Sequence, residues 1–238
     1  DLGVSIFSNL PVTRLIAQRA EPTVALTLST LFVAVALAIP AGVIAAWQAR
    51  KLADRAVMVF AVLGFAIPGF LAAYILIWIF AVKLQLLPVQ GYRPIGEGFW
   101  PFVEGLILPS IALGVTYMAL IARITRASML EVLSQDYIRT ANSKGLATKR
   151  VLLLHALKNA AVPIVTVIGI GIALLISGVV ITETVFNIPG LGRLTVDAVL
   201  KHDYPIVQGL IMVFAAAKVL VNLMIDISYA FLDPRIRY

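Results

Sequence analysis

The stretch PTVALTLSTLFVAVALAIPAGVIAAWQA, residues 22–49, runs from end to end without a Lys, Arg, Asp or Glu. A bilayer core about 30 Å thick takes roughly 20 apolar residues of helix, so this stretch reads as a membrane span. Peptide groups in hydrocarbon must bond within their own segment or around a closed barrel. The stretch lacks strand-type alternation and is rich in Leu, Ala, Ile and Val, which selects the helix. Cutting outward at each charge yields four more candidates. Residues 56–82, 105–122 and 159–182 are charge-free, the second of these barely long enough, and 204–225 carries only Lys218. The expected fold is all-α: a polytopic membrane helical bundle, five spans in one domain covering residues 1–238.

Composition agrees. The chain is 61% hydrophobic with a mean hydropathy of +0.99, against about 45–50% apolar residues in an average soluble domain. It has no cysteine, which excludes disulfides, thiolate metal sites and cysteine nucleophiles. The net charge of +7 does not point to nucleic acid, because basic-aromatic clusters are absent and the excess collects between apolar runs.

That placement sets topology, since cytoplasmic loops hold the excess of Lys and Arg. Twelve of the 19 fall on one side: Arg50, Lys51 and Arg55; Arg123, Arg126, Arg139, Lys144, Lys149, Arg150 and Lys158; Arg235 and Arg237. Six fall on the other, namely Arg14, Arg19, Lys83, Arg93, Arg193 and Lys201, with Lys218 inside a span. The twelve, and the C-terminus with them, are therefore expected in the cytoplasm. An odd number of spans puts residues 1–21 outside, which together with the start at Asp1 suggests one upstream span and six in all. The two histidines, His155 and His202, fall on opposite sides, so no shared metal site is expected, and no cofactor.

The loops at 83–104 and 183–203 contain Pro88, Pro94, Pro101 and Pro189 and suggest lids or short outer helices. Between the third and fourth spans, residues 131–159 are too basic for lipid and too patterned for a linker. They predict an elbow at 136–158: a helix from Asp136 stopped at Gly145, which adopts a left-handed backbone without a Cβ clash, with Lys144 suiting the last turn. A second helix is expected with Thr148 as N-cap. Its Val151, Leu152 and Leu154 would lead uninterrupted into the fourth span. The small residues Thr140, Ala141 and Ser143 allow close approach of a partner, and Tyr137 and Leu146 offer anchors for a hydrophobic cleft. A transporter fuelled by another subunit needs such a cytoplasmic knob.

This stretch resembles the coupling signature of binding-protein-dependent ABC importer permeases. The general form is Glu-Ala-Ala, three residues, Gly, nine residues, Ile-x-Leu-Pro. Here Arg139-Thr140-Ala141, then Gly145, then His155 to Lys158 take those positions, and only Ala141, Gly145 and Leu157 fit. The form found here is similar to the variant in dipeptide, oligopeptide, nickel and glutathione importers. The resemblance extends over Asp1 to Ser5, Glu183 to Gly192, Asp203 to Gly209 and Leu232 to Tyr238, and matches the first of the two permeases of such systems. It implies a type I ABC importer transmembrane domain in the bacterial inner membrane. It also implies that Tyr137, Arg139, Thr140, Ala141, Lys144, Gly145, Leu146, His155 and Leu157 meet an ATPase. The implied partners are a homologous second permease, two ATP-binding subunits, an extracytoplasmic solute-binding protein and membrane lipid, and the best substrate class is peptides.

Other features have plainer readings. Lys218, Asn222 and Asp226 are spaced i, i+4, i+8, which favours a structural polar ladder facing other helices over a charge on the transport path. Pro40 and Pro68 are hinges or static kinks. Gly169 and Gly171 let helices approach, and Glu183 to Gly192 reads equally as an outer turn near the translocation mouth or as a plain connecting loop. The rival function is an ion-driven secondary transporter using Lys218 and Asp226, which leaves the elbow unexplained. An intramembrane enzyme lacks any Gly-x-Ser-x-Gly or His-Glu-x-x-His motif, and without a Gly-x-x-x-x-Gly-Lys-Ser/Thr loop ATP must be hydrolysed on another chain.

Overall fold

The computed structural model describes residues 2–232, the side chains of residues 173, 176, 177 and 229–232 excepted. Asp1 and residues 233–238, with Arg235, Arg237 and nearly all of the C-terminal match, lie outside the described residues. Helices dominate, and no strand occurs among the described residues. The long ones are α1 (Val12–Trp47), α4 (Phe99–Leu133), α7 (Ala161–Val185) and α9 (Tyr204–Leu232). Among the described residues three helices are long and apolar enough to cross a membrane, or up to five spans if each of two broken pairs counts as one.

The helices overrun the charge-free windows. α1 begins ten residues before Pro22 and includes Arg14, Arg19 and Glu21. α4 continues through Arg123 and Arg126 to Leu133, so the window that barely reached across belongs to a helix of 35 residues. Charge limits how deep a segment sits in lipid, but it does not interrupt i to i−4 bonding. Prolines behave unequally. α1 passes through Pro40 unbroken, whereas the 56–82 run is divided into α2 (Leu52–Ala66) and α3 (Gly69–Leu76), with a π turn following over Ile77–Lys83. Pro68 stands at the N-cap of α3 in extended conformation (ψ 137°), where its fixed φ and missing N–H suit the start of a new helix. Of the two expected loops, 83–104 holds the 3₁₀ turn Ile95–Glu97 and the start of α4 at Phe99, and 183–203 holds α8 (Leu191–Leu200).

Contacts divide the chain into two compact units. One gathers Ala34–Ala66, Val115–Gly171 and Asn222–Tyr238; the other gathers Asp1–Val33, Ile67–Gly114 and Ile172–Val221. In the first, α1 and α4 approach closely: a Cβ on Gly42 would stand 2.6 Å from Thr125 Cβ and 2.7 Å from the Ala122 carbonyl. Around that crossing Ala34, Ala38, Met118, Ile121, Ala122 and Val167 are buried together. Small residues let backbones meet where lipid gives no hydrophobic drive. In α9, Lys218, Asn222 and Asp226 are all exposed, which corrects the expected ladder. Only 6% of the apolar window of α9 is buried, although Ile225, beside these residues, lies against Gly169 of α7.

In the other unit, Val12, Ile16, Leu191, Leu194, Ala198, Ile206 and Leu210 form the core. Two buried carboxylates tie it together. Glu183, fully buried, belongs to α7 and not to an outer turn. It accepts from Thr23 Oγ1 (2.5 Å) and the Arg193 N–H (2.9 Å), while Thr23 Oγ1 accepts the Leu191 N–H (2.7 Å). Together they satisfy the free N–H groups that open α8. A Cβ on Gly190 would run into the Glu183 carboxyl. Asp203, 2% exposed, precedes α9 and accepts from Ser5 Oγ (2.6 Å) and the Ile6 N–H (3.3 Å).

Burial opposes the charge of Asp203, but the bonds from Ser5 and from the Ile6, Phe7 and Ile206 N–H groups outweigh it and hold its carboxyl below the usual range. A carboxyl lowered in the folded state stabilises fully above its unfolded value and loses that contribution as pH falls through the folded one, here below about pH 4. Asp203→Asn is expected to cost about 1–2 kcal/mol at pH 7 and to flatten the acid limb of thermal unfolding in detergent. An acid limb as steep as that of the unmodified chain would show that Asp203 does not carry it.

Candidate functional site

The elbow is built by local rules. α5 spans Asp136–Ser143. Asp136 in its first turn suits the positive helix end, and its side chain forms an exposed ion pair with Arg139 at 3.6 Å. Gly145 ends it at φ +74°. The Leu146 N–H reaches the Ala141 carbonyl (3.3 Å) and the Gly145 N–H reaches that of Asn142 (2.9 Å). These two bonds are the Schellman closure of a helix, and Leu146, which follows the closing glycine, packs against the cluster that contains Ala141.

The second arm departs from expectation in two ways. Its N-cap is Ala147, one residue earlier than Thr148, without a side-chain cap bond. After Thr148–Arg150 (α6) the chain widens into a π turn over Val151–Leu157 and then bends by 65° before α7. The apolar residues of the arm therefore do not run straight into the fourth span. π turns shift side-chain phase within a helix, and here Val151 and Ala156 are both turned inward.

What holds the elbow is one buried cluster. Ile138 and Ala141 from α5, and Val151, Ala156 and Ala160 from the second arm, close around Met129 of α4 and Val43 and Ala46 of α1. Met129 is completely buried. The spacing of Ile138 and Ala141, three apart, puts them on one face of α5.

The expected contact residues thus divide. Tyr137, Arg139, Thr140, Ser143, Lys144 and Gly145 are exposed, Tyr137 to 45%. Ala141 is buried and Leu146, His155 and Leu157 are half-buried; Ala141, Leu146 and Leu157 belong to the chain's own cluster. Ala141 and Leu146 therefore anchor the elbow from within, which corrects their reading as surfaces offered outward. The hydroxyls of Thr140 and Ser143 return to the carbonyls of Asp136 (3.1 Å) and Arg139 (3.0 Å), leaving a smooth polar face.

Sequence reading missed the seat of the elbow. Val43 and Ala46 look like any other span residues, Met129 falls in the basic stretch after the third expected span, and nothing local marks them as its base. It also counted Arg126 as a loop charge, although that side chain pairs with Asp54 at the start of α2. The available signal was an Asp three positions into a helix after Lys51, where a carboxylate reaches back to a free N–H. Among the described residues no group of three or more His, Cys, Asp or Glu is placed to hold a metal.

Residues 38–238 match the family model described as the inner membrane component of binding-protein-dependent transport systems. A probable peptide ABC transporter permease of Sinorhizobium fredii is 50% identical over all 238 residues, covering 76% of that protein. A glutathione transport system permease of Escherichia coli is 43% identical over the same residues, covering 75% of it. Among solved structures, the MetNI methionine ABC transporter in an inward-facing conformation superposes with a TM-score of 0.77 over 94% of this chain and 98% of that one. At 16% identity that likeness establishes the fold. The chain is a member of the family of inner membrane components of binding-protein-dependent transport systems.

Proposed function

We propose that this chain forms half of the path by which an ABC importer brings di- or oligopeptides across the inner membrane, and that its elbow at 136–158 receives the ATP-driven movement of a separate ATP-binding subunit. The observation that carries this is the division of the elbow into an exposed polar face and a buried one. The face with Tyr137, Arg139, Thr140 and Lys144 is free to enter a groove, while Ile138 and Ala141 lock the same helix onto Met129. A short helix set in a groove transmits displacement only if it cannot turn on its own base.

The substrate class rests on the two relatives named above, one for peptides and one for glutathione, itself a small peptide. The remaining partners are a homologous second permease and a solute-binding protein that delivers cargo from outside. The charge count supports an elbow and a C-terminus in the cytoplasm. ATP closes the paired ATP-binding subunits, the two elbows move with them, and the spans exchange inward-open for outward-open states. The family match removes the ground for an ion-driven secondary transporter.

The chain has no cysteine, so Ser143→Cys introduces a unique thiol on the exposed face. With a thiol crosslinker in native membranes, that residue is expected to capture an ATP-binding subunit, and right-side-out vesicles given the solute-binding protein outside are expected to accumulate trialanine only with ATP enclosed, on the elbow's side. Capture of no ATP-binding subunit would overturn the coupling role.

Gly145→Val has room for its side chain but not the backbone angle: nothing lies within 4 Å of the added Cβ, yet φ is +74°. A β-branched residue held there costs about 1–3 kcal/mol, so ATP-driven uptake is expected to fall about tenfold or more. Gly145→Asn, which tolerates the left-handed region, is expected to retain most of it. Equal uptake by both variants would refute the closure of α5 as part of coupling.

A further inference from the structure

Asp54 is an acid in the first turn of α2 with 4% of its surface exposed. Its carboxylate takes three donors. Arg126 Nε bonds Oδ1, Arg126 Nη2 bonds Oδ2 at 2.7 Å, and the Arg50 N–H bonds Oδ2 at 2.8 Å. Arg50 itself is held at φ +67°, so the turn between α1 and α2 is folded onto the same carboxylate.

A two-point fork differs from an ordinary apolar contact in what it specifies. It aligns the guanidinium and carboxylate planes and so sets the rotation of α4 against the first turn of α2. A buried ion pair is poor grounds for stability, because apolar residues of similar volume often serve as well. What the fork adds is register.

Its position says what the register is for. Within five consecutive residues α4 makes three attachments: Thr125 packs on Gly42 of α1, Arg126 forks onto Asp54, and Met129 seats the elbow. The ends of α1, α2 and α4 and the elbow are thus joined through one turn and a half of α4.

We infer that Asp54 is a positioning residue for energy coupling: its fork with Arg126 fixes α2 to the helix that seats the elbow, so that α1, α2, α4 and the elbow move as one body. This rests on the coupling role proposed above. Without the fork the elbow still binds its ATP-binding subunit, and α4 still follows it and keeps its contacts with the far end of α2 at Gly64 and Phe65, but the first turn of α2 no longer keeps step.

The test reads that step directly. Lys149, on the second arm of the elbow and away from the residues expected to meet the ATP-binding subunit, and Leu52, in the first turn of α2, are both exposed, and the chain is free of cysteine. Spin labels on cysteines at these two positions report their separation in the complex purified with its ATP-binding subunits, the latter stripped of cysteine, without nucleotide and trapped with ATP and vanadate. The parent chain is expected to show one separation in both states. Asp54→Asn is expected to make the two states differ by about 2 Å or more, the scale of helix shifts in switching proteins. The exchanged pair Asp54→Arg with Arg126→Asp is expected to restore the single separation. If Asp54→Asn does not accumulate, Arg126→Lys, which keeps the charge and loses the fork, is read the same way. Separations that ignore both variants overturn the inference, as does failure of both to assemble, which would make the pair structural. A parent complex that holds no ATP-binding subunit overturns the coupling reading itself, and this inference with it.

Discussion

An unpaired peptide group in hydrocarbon costs several kcal/mol, and nearly every feature of this chain answers to that cost. It makes the spans helical, and it makes each helix end a place where free N–H or carbonyl groups need partners. It also explains where the buried acids lie. Asp54, Glu183 and Asp203 are each buried, and each stands at or reaches a helix start. A carboxylate accepts several N–H bonds at once and complements the positive end of the helix, so one acid closes an end that would otherwise need water.

The same constraint makes the elbow an exception with a purpose. Its backbone is closed by a Schellman motif at Gly145, so it needs neither lipid nor a neighbouring helix to satisfy its peptide groups. One side is therefore free to stay exposed and polar, while Ile138 and Ala141 hold the other against Met129. A rigid body with one free face is what a mechanical coupling between subunits requires, and the membership of the chain in a transport family supplies the setting.

Sequence alone determined the class of fold and the place of the elbow, because both are local. A charge-free run of about 20 residues answers to bilayer thickness, and α5 starts at Asp136 and stops at Gly145 through chemistry confined to its own turns. What only the tertiary structure decided depends on residues far apart in the chain. Arg126 within α4 finds its partner in Asp54, 72 positions away, and α8 is capped because Glu183 meets Thr23, 160 positions away. Pro40 lies within a helix and Pro68 opens one, a difference that residue type alone does not impose. Ala141 and Leu146 turned inward for the same reason: a pattern of small and apolar residues marks a face that will be buried, and only the arrangement of α1 and α4 settled that it is buried by this chain.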